Sequence, residues 1–123
     1  MSGTMINTDF ERFVEENMKH IRETCAARFD DTCRPWTKNP EYNRMFLREQ
    51  ERYANDLLRA RGHLFLNEVY EMLGIARTKF GQVAGWTWEE GSKVTFNIPE
   101  MITLDDDLLM FNIDGVILEQ LKD

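Results

Sequence analysis

A chain of 123 residues, 42% hydrophobic and 11% aromatic, is long enough to bury one core and too apolar for an intrinsically disordered polymer. It lacks any run of the about 18 apolar residues that a membrane span needs. The net charge of −7 sits entirely in the second half: residues 1–62 hold 11 basic and 11 acidic side chains, whereas residues 63–123 hold 4 and 11. That half has no excess of Lys and Arg with which to release counterions from a phosphate backbone, so direct nucleic-acid binding is not expected of it.

The first residues, "MSGTMINTDFERF", show neither a basic leader nor an apolar secretory core. Cys25 and Cys33 are the only cysteines, too few for a disulfide scaffold of this size. Both features point to a reducing, cytoplasmic setting. Thr8 with Glu11 forms a capping-box pattern ahead of Phe10, Phe13, Val14, Ile21, Cys25 and Phe29. Their three- and four-residue steps predict a first long helix over 9–28. Pro35 in "DDTCRPW" breaks the pattern, and Trp36 beside it is either a lid on the core or an exposed anchor.

"NPEYNRMF" opens a second long helix, with Asn39 as cap, Pro40 at the first turn and Gly62 as its stop. Tyr42, Met45, Phe46, Tyr53, Leu57 and Ala60 are its expected buried stripe. Arg44, Arg48 and Arg52 form a basic ladder at four-residue steps, a solvated face or a partner site. His63–Phe65 reads as a short extended entry, Asn67–Leu73 as a short helix ended by Gly74, and "RTKFGQVAG" as another brief helix opened by Thr78. Val69, Tyr70 and Leu73 are assigned to the core, and Gly81 and Gly85 to close backbone approach or a reversal.

From Trp86 the period becomes two. "WTW" and "KVTFNI" read as strands joined by a hairpin at "EEGS", and "LLMFNI-DG-VIL" as a second hairpin turning at Asp114-Gly115. The expected fold is therefore one α+β domain over 1–123. Two long N-terminal helices make up a neutral part, 1–62; two short helices and a small antiparallel sheet of two acidic hairpins make up 63–123.

Few patterns carry chemistry. Asn112, Asp114 and Gly115 fit positions within a calcium loop, but Met110 and Leu121 fall where its end ligands belong. His20, Cys25, Cys33 and His63 lack zinc-ligand spacing, and the glycines form neither a Walker nor a dinucleotide fingerprint. No metal, cofactor or catalytic residue is assigned, and an enzyme is not expected. Trp86 and Trp88 fall on one strand face, as core or as interface anchor. Acidic residues Asp105, Asp106, Asp107, Glu89 and Glu90 are candidates to meet a basic partner, alongside Arg44, Arg48, Arg52 and Trp36.

The pattern "LNEVYEMLGI…T…G…GW" followed by "KVTFNI" resembles the C-terminal module of a phage-encoded family of unknown function. The matching positions are Leu66, Asn67, Tyr70, Leu73, Gly74, Thr78, Gly81, Gly85 and Trp86, within a likeness over about residues 41–118. Members carry an apolar N-terminal part where this chain has a charged helix, so no membrane-linked role is carried over. The resemblance implies a phage or prophage accessory protein in a bacterial host cell and nothing catalytic. Two modes of action follow: an adaptor or structural module binding a virion component or its own copy, or an anti-CRISPR-like inhibitor whose acidic half blocks a basic groove of a host defence effector.

Overall fold

The computed structural model of the chain describes residues 25–100 and 107–118. In chain order these form β1 (Ala26–Phe29), α1 (Pro40–Arg61), β2 (His63–Phe65), α2 (Leu66–Leu73), a 3-10 turn (Phe80–Gln82), β3 (Ala84–Thr87), β4 (Asp107–Met110) and β5 (Gly115–Val116). The α+β class stands, but the arrangement differs from expectation: among the described residues there is one long helix and one short helix, with two small antiparallel sheets.

Most of the predicted helix 9–28 lies outside the described residues. Its end is a strand: Ala26 to Phe29 pair antiparallel with Met110 to Asp107. Phe29 at its last position is fully buried and stacks on Phe46, ring centroids 5.9 Å apart. Pairing with a strand almost eighty residues away overrides the local helical pattern, as tertiary context does.

The α1 boundaries follow local chemistry. The Asn39 side-chain oxygen accepts from the N–H groups of Glu41 at 3.0 Å and Tyr42 at 3.1 Å. At the other end Gly62 takes a left-handed φ of 84° and its N–H donates to Leu58 O. The buried face is not the predicted one. Asn43, Leu47, Ala54 and Leu58 point inward, Phe46 and Leu57 are half-buried, and Tyr42, Met45, Tyr53 and Ala60 face outward.

The chain then runs through β2 into α2, where the Glu68 carboxylate accepts from Phe65 N–H at 2.9 Å. Gly74 ends α2, and Leu66, Val69, Tyr70 and Leu73 are buried. The segment opened by Thr78 is a single 3-10 turn, its Oγ1 accepting from Gly81 N–H at 2.9 Å. Asn67 holds this turn against α2: its Nδ2 donates to Thr78 O at 2.8 Å and its Oδ1 accepts from Thr78 N–H at 2.9 Å.

Neither predicted hairpin forms. The chain does reverse at Glu89–Ser92, with Ser92 N–H donating to Glu89 O, yet β3 pairs with β2 on one side and β5 on the other. The "KVTFNI" segment keeps its alternation, with Val94 and Phe96 buried and Lys93 and Asn97 exposed. Side chains supply much of its pairing. Asn55 of α1 clasps Val94, accepting from its N–H at 2.8 Å and donating to its O at 3.0 Å. Glu51 accepts from Phe96 N–H at 2.9 Å.

The Asp114-Gly115 pair likewise closes no hairpin, because β4 belongs with β1 and β5 with β3. Asp114 instead fastens the start of β5 to β3: its N–H donates to Gly85 O, and its carboxylate accepts from Thr87 N–H, both at 2.8 Å. The core lies between α1, α2 and these sheets, where Trp86, Tyr70, Phe96 and Phe111 meet. Phe111 packs edge-on against Tyr70 at 5.5 Å and Phe96 at 5.3 Å.

Candidate functional site

The sequence candidates do not converge on one place. Arg44 is half-exposed and its guanidinium donates to the backbone carbonyl of Glu100. Arg48 is exposed, and Arg52 makes an exposed ion pair with Glu49 at 3.4 Å. Glu89 and Glu90 sit on the exposed turn after β3. Asp105 and Asp106 lie outside the described residues, and Asp107 opens β4 opposite Phe29. Trp36 is half-buried against the core, and its indole N–H has no hydrogen-bond partner among the described residues.

Other carboxylates are committed to local structure. Glu68 takes Arg61 in a two-pronged contact at 2.8 and 3.2 Å as well as the Phe65 N–H. Burial pushes its carboxyl up, but the Arg61 and Phe65 hydrogen bonds, with the charges of Arg61 and His63, outweigh that and hold it below the usual range. Glu71 pairs with Arg77 at 2.7 Å on the surface. The two thiols are poor nucleophiles: burial raises Cys25 to about 11 and also pushes Cys33 up. Among the described residues, no three His, Cys, Asp or Glu side chains gather as a metal cage. No helix among them is long and apolar enough to cross a membrane.

What the structure does gather is an outward face on α1. Tyr42 is 52% exposed, Met45 63% and Tyr53 52%, values at which a large apolar side chain is contributing little to the core. At the C-terminal end of this face, the Arg59 guanidinium lies 5.6 Å from the ring centre of Trp88, itself 38% exposed. Trp86, two residues earlier, is instead buried, its Nε1–H donating to Asn112 Oδ1 at 3.0 Å. A second exposed apolar pair, Leu108 and Met110, alternates along β4. Tyr, Trp, Met and Arg are the residue types enriched at protein interfaces, and surface Met or Tyr at helical spacing has no role in the interior.

Sequence reasoning found Tyr42, Met45 and Tyr53 but placed them inside, since apolar residues at three- and four-residue steps normally mark the core face. The signal against that placement was the Leu47, Ala54 and Leu58 series, which runs along the opposite side with the same spacing.

Comparison with curated proteins and with solved structures returns no match. The sequence model of a family described as being of unknown function, DUF6353, matches residues 6–120, and the chain belongs to that family.

Proposed function

We propose that this protein is a non-enzymatic phage or prophage accessory protein that works in the bacterial cytoplasm by binding another protein, as an adaptor or structural module. The observation that carries the reading is the outward face of α1, where Tyr42, Met45 and Tyr53 are left to solvent beside Arg48 and Arg52. The non-enzymatic part draws on the side chains best suited to chemistry: Glu68 and Glu71 are tied to arginines, and Cys25 and Cys33 are buried thiols. The phage part draws on the likeness of Leu66–Trp86 to a phage-encoded module.

The test is a pull-down from infected cells with the full chain, beside a variant carrying Tyr42→Asp and Tyr53→Asp. Enrichment of a discrete protein or of the chain's own copy, lost in the variant, supports the reading. Equal recovery by both proteins sinks it.

A second reading, an anti-defence inhibitor, draws on the acidic excess of residues 63–123 and on the exposed Glu89 and Glu90. Glu68, Glu71 and Asp114 are already engaged within the protein, which leaves that surface fewer free carboxylates. Capture of a host nuclease that is competed by DNA or RNA and released by salt would promote it to first place.

A further inference from the structure

We infer that the outward face of α1 is a two-fold, antiparallel contact with a second copy of the same chain; this rests on the protein-binding reading above and names its partner. The α1 helix is 22 residues long, about 33 Å at 1.5 Å per residue. Tyr42, Met45, Glu49, Arg52, Asp56 and Arg59 recur along it at alternating steps of three and four, the repeat of a seam between two helices. All six are exposed. The parallel series Asn43, Leu47, Ala54 and Leu58 on the other side is already spent on the core.

Charge decides the partner. Laid antiparallel on itself about a point between residues 50 and 51, the seam sets Glu49 against Arg52 of the second copy, and by symmetry Arg52 against Glu49. In the same alignment Met45 meets Asp56, and Tyr42 meets Arg59, which carries Trp88 on its flank at 5.6 Å. The ring of Tyr42 would there add a second aromatic to a guanidinium that already faces one. A parallel pairing would instead place Glu49 on Glu49 and Arg52 on Arg52, two like-charge pairs in the middle of the contact. Closed two-fold dimers are also the commonest symmetric assembly. Tyr53 borders the seam, so its exposed ring is covered in the same step.

With charged central layers the association is weak and salt-sensitive, since ionic strength of about 1 M shrinks the screening length to roughly 3 Å. Sedimentation of the full chain over a concentration series should show a reversible monomer–dimer equilibrium. Arg52→Glu and Glu49→Arg, each alone, should raise the dissociation constant by about tenfold or more, because each substitution acts twice across the axis. Combining them should restore dimerisation, since the swapped charges again face their opposites. Circular dichroism of each variant confirms the helix is intact.

A chain that stays monomeric at every concentration overturns the inference. So does a dimer indifferent to both single substitutions, or one that the double swap fails to restore. A monomeric chain that still captures another protein through Tyr42 and Tyr53 overturns this inference while leaving the protein-binding reading in place.

Discussion

The Asn112 side chain makes three hydrogen bonds that tie together segments distant in sequence. Its Oδ1 accepts from Trp86 Nε1–H at 3.0 Å and Thr95 N–H at 2.7 Å, and its Nδ2 donates to Lys93 O at 2.8 Å. One amide thus joins β3, the extended 93–98 segment and the stretch after β4. Asn112→Ala removes all three bonds and strands the buried Trp86 donor, so we expect a loss of about 2 kcal/mol or more in urea unfolding, with the Trp86 fluorescence altered in the native state. A comparable restriction applies to Gly85, which lies opposite Phe65 where β2 and β3 approach. A Cβ there would fall 2.0 Å from the Leu64 carbonyl oxygen, a backbone atom that cannot swing aside. Gly85→Ala is expected to cost about 3 kcal/mol, read as a lowered urea midpoint. The need for close approach at Gly85 was legible from the sequence; the reach of Asn112 was not, because an asparagine in a strand-like run gives no sign of which distant groups it will bind.

At the scale of elements, α1 shows where local reasoning succeeds and where it stops. Its ends were legible because Asn39, Pro40 and Gly62 act on their immediate neighbours. Its orientation was not. Two series of equal spacing run along opposite sides, and the one holding Tyr42, Met45 and Tyr53 looks the more apolar. The inward side instead carries Asn43, Glu51 and Asn55, whose polarity is used up on remote backbone: Thr37 for Asn43, Phe96 for Glu51, Val94 for Asn55. The same contacts explain the failed hairpin, since the 93–98 segment finds hydrogen bonds on α1 and Asn112 in place of β3. Asn55→Leu should therefore release this segment. We expect faster amide exchange at Val94, with little change within α1 itself, and a stability loss of about 2 kcal/mol. Slow exchange at Val94 in the variant would show that packing of Val94 and Phe96 alone holds the segment.

Over the whole molecule, the elements were easier to foresee than their partners. Strands were expected around Trp86 and on either side of Asp114-Gly115, but the expected strand over 93–98 is absent and β1 stands where a helix end was expected. In addition, β4 joins β1 while β5 joins β3, pairings invisible to a turn signal such as Asp114-Gly115. The shared core that results also governs how stability depends on pH. Burial raises the Cys25 thiol from 9.0 to about 11, and burial, with the nearby Cys25, raises the Tyr70 hydroxyl from 10.0 to about 12. Both groups are neutral below those values in the folded chain, whereas in the unfolded chain they ionise at their ordinary values. A folded pKa above the unfolded one gives stability that is whole below the unfolded value and lost as pH climbs through the folded one. The Tm should thus fall steadily from pH 9 to pH 12. Glu68 behaves oppositely: its folded value lies below the ordinary 4.5, so its contribution is present above that pH and is lost as the solution is acidified past it. Cys25→Ser and Tyr70→Phe separate the alkaline contributions. Tyr70→Phe should flatten the upper part of the decline, and Cys25→Ser the lower part, when Tm is followed against pH. A decline unchanged in both variants would mean that neither buried group drives alkaline unfolding.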